Sequence, residues 1–410
     1  MSALGPRFWR MYAATASSDL ADGIGRTALP LAAAAYTRDP VTIAGLTTFS
    51  FLPWLLLALP SGALVDRVDR RSAMAAANAV RAAAAAALAV VMLTGAGGVA
   101  VLYAVAFVLG AAETVYDSAV RALLPRLVEP GELDRANSLL TVEETLGQTF
   151  VGAPLGSGLF AVAVALPFVL NAAGFVLAVL LIGTVRGTYR PARSGESTAI
   201  RTDIAEGVRW LRRHALLRGL TLISATTACA QTMAGSLLVL YVLQVLRLPA
   251  GDFGLLLMGG GVGAIAGGLV TPPLARALGR PLVLTAGSVW AAVSIGAMGA
   301  TRNGFIAAGL FAASSAGIMV WNVLTMSLRQ SLIPEELFGR VQGAYRTLVW
   351  GAIPLGALIG GGLAAVIGLR GVFVLTGAVQ FVMALVLGWL LRQHTDELRV
   401  ERSALADAMD

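Results

Sequence analysis

The chain has 410 residues, of which 57% are hydrophobic and only 13% charged, with a formal net charge of +7 and a mean hydropathy of +0.78. An ordinary soluble domain carries roughly 25% charged residues, so this composition argues against a water-soluble globule and for lipid as the solvent. All 30 basic residues are arginine; they lie between apolar runs rather than on one folded face, which argues against nucleic-acid binding and reads as the bias of an Ala/Arg-rich bacterial genome.

Apolar runs of about 20 residues predict membrane helices. They fall at about 12–35, 41–64, 72–93, 99–121, 137–161 and 164–185, then at about 216–246, 252–275, 281–300, 303–328, 340–366 and 371–391. The first run carries Asp19, Asp22 and Arg26 and has no small-residue cleavage site, so it is expected to stay as a span. After the second run comes GALVDRVDRR, residues 62–71, an abrupt block of charge. With the N-terminus inside, the inner segments hold Arg7, Arg10, Arg67, Arg70, Arg71, Arg126, Arg135, the central run from Arg186 to Arg218, Arg276, Arg280, Arg329, Arg340, Arg392, Arg399 and Arg402. Each of four outer turns holds a single arginine, Arg38, Arg247, Arg302 or Arg370. That asymmetry predicts both termini on the cytoplasmic side of a bacterial inner membrane.

The polar stretch between the two sixes ends in Ile200, Ile204, Val208 and Leu211 at spacings of four, four and three, with Arg201, Asp203, Glu206, Arg209, Arg212 and Arg213 on the other faces. This predicts a short amphipathic helix on the inner membrane surface. The expected organisation is an all-α polytopic membrane protein: a six-helix bundle at 1–185, a cytoplasmic linker at 186–215, a second six-helix bundle at 216–391 and a tail at 392–410. LVEPGELDRANS before the fifth run and LIPEELFGRVQG before the eleventh, each followed by a Gly/Pro-rich helix, suggest an internal duplication.

Single Cys229 excludes an internal disulfide, and His214 and His394 are too few for a metal or catalytic cluster. No cofactor, no metal and no enzymatic activity are expected. Ionisable groups at bilayer depth are expensive and usually functional. Asp19, Asp22 and Arg26 share one helix face by their spacing of three and four. Asp22 comes out about 15 Å from the inner boundary and Glu113 about 12 Å, from the helical rise. Buried carboxyls at similar depth suit proton coupling, with Asp22 and Glu113 as the titrating groups. The alternative is a satisfied Asp22–Arg26 ion pair that fixes helix packing, with Asp19 as a structural partner. Arg81, Arg121, Glu143, Glu144 and Arg346 are placed in the inner third of their spans as gate or interhelical partners. Tyr116, Thr227, Gln231, Trp321 and Asn322 are the candidate substrate wall, competing with roles as packing glue or interfacial anchors. So few cavity charges suit an apolar or amphipathic solute.

With these twelve spans and the GALVDRVDRR loop, the sequence resembles the major facilitator superfamily, whose pattern there is roughly G-x-L-x-D-R-x-G-R-[RK]. Gly62, Leu64, Asp66, Arg67, Arg70 and Arg71 are in register, with Asp69 where glycine is usual. LADGIGRTALPL and ALLPRLVEPGELDRANSLL are similar to the enterobactin-exporter and macrolide-efflux branch. The resemblance implies a fold of two six-helix bundles with spans 1, 4, 7 and 10 around a cavity. It also implies a conformational latch of Gly62, Asp66, Arg67, Arg70 and Arg71, in which Arg70 or Arg71 pairs with Asp117; a plain stop-transfer charge cluster is the simpler reading. The second half keeps only GGLVTPPLARALGR, without an aspartate at the place of Asp66, and Ala153 replaces the glycine of the antiporter motif in span 5. Span 4 lacks the mid-span basic residue of many drug antiporters. The implied function is a monomeric exporter of a small hydrophobic or amphipathic molecule by alternating access, with protons as the coupling ion and the lipid bilayer as its surroundings. The alternatives are an importer or lipid transporter of the same fold, and a non-transporting membrane scaffold.

Overall fold

The computed structural model describes residues 4–187, 189 and 200–394 as helices joined by short turns. Helix α1 (Pro6–Tyr36) starts with proline at a position where its missing N–H costs nothing. Asp39 caps α2 (Pro40–Val65) by accepting from the Thr42 N–H at 2.8 Å, and Asp69 caps α3 (Arg70–Thr94) by accepting from the Ser72 N–H at 3.1 Å. The Thr42 hydroxyl, then the Thr42 N–H, hold the Asp39 carboxyl below its usual range against a weaker effect of burial. Helix α3 ends at Gly95 in the left-handed region with φ 66°. After α4 (Val99–Leu123), the fifth pass is one continuous rod of three parts: α5 (Leu133–Thr145), a π-turn (Leu146–Gly152) and α6 (Ala153–Val162). Pro154 cannot donate to the preceding turn, and the Ala153 N–H reaches back to the Gln148 carbonyl, so the helix widens there. Helix α7 (Leu166–Gly183) is the sixth pass.

Helix α8 (Ile200–Arg213) lies in the linker. The expected stripe begins within 200–205, whose side chains are outside the described set, as are 190–199 and 395–410; of the rest, Leu211 is buried. The second half runs through α9 (Ala215–Gly235), the short α10 (Leu238–Leu240) with a π-turn at Tyr241–Val245, α11 (Asp252–Leu278), α12 (Arg280–Met298), α13 (Gly304–Leu332) and α14 (Glu335–Gln393). Helix α14 is two passes: Gly368, with φ 75° and ψ 165°, breaks it where the sequence predicts an outer turn. Nine helices among the described residues are long and apolar enough to cross a bilayer, with α14 counted once. Splitting α14, and adding α1 and the α5–α6 pass, gives twelve helical passes. The two that fall short of the apolar criterion are α1, which carries Asp19 and Asp22, and the fifth pass, which carries Glu143.

The chain forms two compact units. The first comprises Met1–Gly195 and Ser236–Gly261; the second comprises Glu196–Gly235 and Val262–Asp410. In the first unit α1 packs on α7 and on the fifth pass, α2 on α4, and α3 on both α4 and α7. The contact of α1 with the fifth pass is backbone against backbone. A Cβ on Gly152 would lie 2.7 Å from the Gly23 Cα, and one on Gly156 would lie 3.0 Å from the Ile24 Cα. Small residues are what let membrane helices approach so closely. In the second unit α14 packs on α9, α12 and α8, and α12 on α13, around Leu216, Leu220, Leu284, Leu324 and Leu387.

Candidate functional site

The sequence places three charges on one face of α1, and the structure gives each of them a partner on a different helix. Asp22 forms an ion pair with Arg81 of α3, and Arg26 forms one with Glu113 of α4. The Asp22–Arg26 pair that spacing suggests is therefore replaced by two interhelical clasps. Arg81 also corrects its expected position. It lies eleven residues into α3, about 16 Å along the axis, so it is a mid-helix residue and not one of the inner third. Its side chain is only 1% exposed. One terminal nitrogen donates to Ser18 Oγ and Asn78 Oδ1, both at 3.1 Å, and the other to Asp22. The guanidinium lies over the rings of Phe175, at 4.4 Å, and Tyr116, at 5.4 Å.

Arg26 is set differently. Its side chain is 53% exposed, against 18% for Glu113, and it donates to Gln148 Oε1 at 3.2 Å. The Gln148 amide in turn donates to Asp19 Oδ1 at 3.0 Å. Gln148 sits in the π-turn, so the widened helix is what carries this bridge toward α1. Glu143, buried one turn earlier on α5, has no conventional donor on either carboxylate oxygen. Its nearest polar neighbours are the Asp19 carboxyl and the Thr15 hydroxyl. Asp117 pairs along its own helix with Arg121 at 3.6 Å.

That last contact replaces the expected pairing of Arg71 with Asp117. Arg71 donates to the Val185 carbonyl at 2.8 Å, at the C-terminal end of α7, and not to Asp117. Gly62 has open space where a Cβ would sit, so it is no close-approach point here. Asp66 closes α2, its N–H bonded to the Gly62 and Leu64 carbonyls, and the Arg67 N–H also reaches Leu64. Asp69 explains the departure from the family pattern: besides capping α3 it accepts from the Tyr189 N–H at 2.6 Å. Burial works against its charge, but the bonds from Tyr189 and Ser72 and the nearby Arg71 outweigh that and hold its carboxyl below the usual range. The charged loop thus anchors the chain that leaves α7.

Of the expected substrate wall, Tyr116 is buried against Arg81 in the first unit. Thr227 and Trp321 line a cavity inside the second unit, with Ile223, Ser288, Gln380 and Met383. Gln231 adjoins it, accepting from the Gln380 amide at 2.7 Å. Asn322 is exposed on α13, not among the lining residues. The wall is mostly apolar, and its polar groups are neutral. Arg81 was expected as an interhelical partner but without Asp22 as its mate, and Gln148 and Gln380 were given no role from sequence. A lone arginine in the alanine-rich middle of α3, and a lone glutamine in the apolar last pass, were the available signals. Among the described residues no group of three or more His, Cys, Asp or Glu side chains could hold a metal ion.

A model of the Major Facilitator Superfamily matches residues 11–354. The chain belongs to that superfamily. Its members are transporters rather than enzymes, so this is a multi-pass membrane protein with a small-molecule substrate. Over 400 residues it is 25% identical to the multidrug efflux pump Tap of Mycolicibacterium fortuitum, covering 95% of this chain and 96% of that one. It is 33% identical over 163 residues to an uncharacterized MFS-type transporter of Mycobacterium tuberculosis, a match spanning only 37% of either chain. The fold is that of solved structures of a point mutant of the nucleoside transporter NupG, with a TM-score of 0.80 at 10% identity covering 94% of this chain and 99% of that one. A bacterial homologue of the iron transporter ferroportin, in an inward-facing state, matches with a TM-score of 0.74 at 20% identity, covering 96% and 99%.

Proposed function

We propose that this facilitator exports a hydrophobic or amphipathic small molecule by alternating access, coupled to proton entry, in the manner of the drug and siderophore exporters. The observation that carries the reading is the pair of carboxyl–guanidinium clasps at membrane depth, Asp22 with Arg81 and Glu113 with Arg26. Protonating either carboxyl strips a guanidinium of its counter-charge, and a cation left unpaired at that depth is costly, so the helices must rearrange. That is the kind of two-state element a coupled transporter needs. Arg26 and Asp19 are the charge partners, and Asp66, Arg67 and Arg70 act in the conformational latch.

The cavity beside Thr227, Gln231 and Trp321 supports a neutral or weakly polar solute, because its wall offers rings, aliphatic carbon and amides but no charge. The full-length likeness to a multidrug efflux pump supports export as the direction. The arginine asymmetry supports a bacterial inner membrane with both termini in the cytoplasm, and the protein is taken as a monomer.

The test is a susceptibility screen across antibiotics and dyes in an efflux-deficient host, paired with dye transport into inverted vesicles under an imposed pH gradient. The wild type should raise resistance to at least one compound, and Asp22→Asn and Glu113→Gln should abolish gradient-driven accumulation. Uptake into right-side-out cells instead would make it an importer. Full tolerance of both variants in every assay would leave a scaffold.

A further inference from the structure

We propose that Asp19 and Glu143 form a carboxyl–carboxylate pair that holds one proton between α1 and α5, while Asp22 and Glu113 remain ionised against their arginines. Setting aside the exposed Glu144, five carboxyls gather in this part of the first unit: Asp19, Asp22, Glu113, Asp117 and Glu143. Three guanidiniums answer them, Arg81 on Asp22, Arg26 on Glu113 and Arg121 on Asp117. Five less three leaves two, and the two left over are Asp19 and Glu143, which face each other.

Each member of the pair is short of donors. Asp19 accepts one bond, from the neutral Gln148 amide. Glu143 is 7% exposed, and neither of its oxygens meets a donor while both carboxyls are ionised. The groups around them do not supply the missing charge. From α1 come the Tyr12 and Thr15 hydroxyls and the Asp22 carboxylate; from α4 comes Tyr116; from α5 comes the exposed Glu144; Arg26 stands beyond Gln148. The nearest guanidinium on α3, that of Arg81, is held by Asp22. Two carboxylates in contact in so dry a place repel, with no cation between them. One proton resolves this. The protonated carboxyl donates its O–H to the other, the repulsion becomes a charge-assisted hydrogen bond, and one of the two orphaned Glu143 oxygens gains a partner.

The pair is also wired to the clasp on α4. Gln148 donates to Asp19 with one end of its amide and accepts from Arg26 with the other. Loss of the shared proton adds a negative charge next to Gln148 and draws Arg26 away from Glu113. The inference rests on the coupled-transport reading only for what the stored proton is used for; its presence is a separate matter of chemistry.

Dicyclohexylcarbodiimide reacts with protonated carboxyls in apolar surroundings and leaves ionised ones alone. The full-length protein in lipid nanodiscs would be treated at neutral pH and the adducts assigned by peptide mass spectrometry. We expect adducts on Asp19 or Glu143 and none on Asp22 or Glu113. Glu143→Gln should cut labelling at Asp19 at least tenfold, because the remaining carboxyl no longer has a carboxylate to share with, and Asp19→Asn should do the same at Glu143. Each variant is checked for monodisperse elution, and either one serves if the other does not fold. Absence of adduct at both positions in the wild type, an adduct on Asp22 or Glu113, or unchanged labelling of one member when the other is neutralised would overturn the proposal. The readout needs no transport, so its failure leaves export standing, and a failed susceptibility screen leaves the proton pair standing.

Discussion

Arg81 gives the sharpest prediction. Its guanidinium is 1% exposed and meets Asp22, Ser18 and Asn78, and the Asp22 side chain is only 12% exposed. Arg81→Met removes the cation and leaves Asp22 as a lone buried carboxylate, at a cost of about 3–5 kcal/mol. Asp22→Asn keeps a hydrogen-bonding oxygen but strands the enclosed Arg81 cation, and should likewise cost about 3–5 kcal/mol. The double variant Arg81→Met with Asp22→Leu leaves neither charge stranded and should lie within about 1–2 kcal/mol of the wild type, since well-packed apolar replacement of a buried pair is often neutral. Taking about 2–4 °C per kcal/mol for a unit near 200 residues, the Arg81→Met variant should melt roughly 6–20 °C below the wild type, and the double variant most of that distance above it. Melting followed by fluorescence-detected size exclusion in one detergent measures all three. Additive losses, with the double variant melting lowest, would refute the reasoning, because they would mean that the two charges do not depend on each other.

Gly152→Val should separate α1 from the fifth pass, since its side chain would meet the Gly23 Cα at 2.7 Å; a loss of about 1–3 kcal/mol or more is expected from overpacking, whereas Gly158→Ala, which enters open space, should melt like the wild type. Asp69→Ala removes the cap on α3 and the acceptor for the Tyr189 N–H, for about 0.5–2 kcal/mol. Because the folded Asp69 carboxyl lies below its usual range, its contribution is complete above the unfolded value of about 3.9 and fades as pH falls through the lower folded value. The gap in melting temperature between wild type and variant should therefore be flat from neutrality to about pH 4 and narrow below it. On the linker, Gly207→Leu should dislodge α8, because a Cβ there would lie 2.6 Å from the Arg340 carbonyl carbon. Glu206→Gln, which breaks only a half-exposed pair with Arg340 at 2.6 Å, should cost about 0–1 kcal/mol. Limited proteolysis of the linker would separate the two.

Much of this architecture is legible in the sequence because lipid imposes a length and an arginine bias that single residues cannot blur. The break at Gly368 fell where two apolar runs meet, whereas the compact units depart from the expected division, because Ser236–Gly261 groups with the first of them. What stayed hidden depends on which helices become neighbours. Asp22 and Arg26 are four apart, and on an isolated helix in water that spacing favours their pairing. In the bundle a partner on α3 with two further hydrogen bonds outcompetes the neighbour on the same helix. Asp117 shows the opposite outcome, keeping its own-helix partner Arg121, and periodicity alone does not distinguish the two cases. Asp69 read as a blemish in a motif because its acceptor role involves Tyr189, 120 residues away. The carboxyls of α1 were visible as charges in an apolar run; their leftover status needed a tally of guanidiniums that only the fold supplies.

The two clasps differ in how readily a proton can open them. Removing one partner of a buried ion pair costs about 3–5 kcal/mol because it strands a charge, and the cost falls as the pair opens to its surroundings. Arg26 is 53% exposed and shares its donors between Glu113 and Gln148; Arg81 is sealed beneath two aromatic rings with its donors spread over three residues of α1 and α3. A proton gradient supplies about 1.4 kcal/mol per pH unit, so the more open clasp yields to a smaller gradient than the sealed one. Under the coupled-transport reading Glu113 with Arg26 is therefore the clasp expected to open first, tied through Gln148 to Asp19. Asp22 with Arg81 is the one that follows as α1 and α3 move.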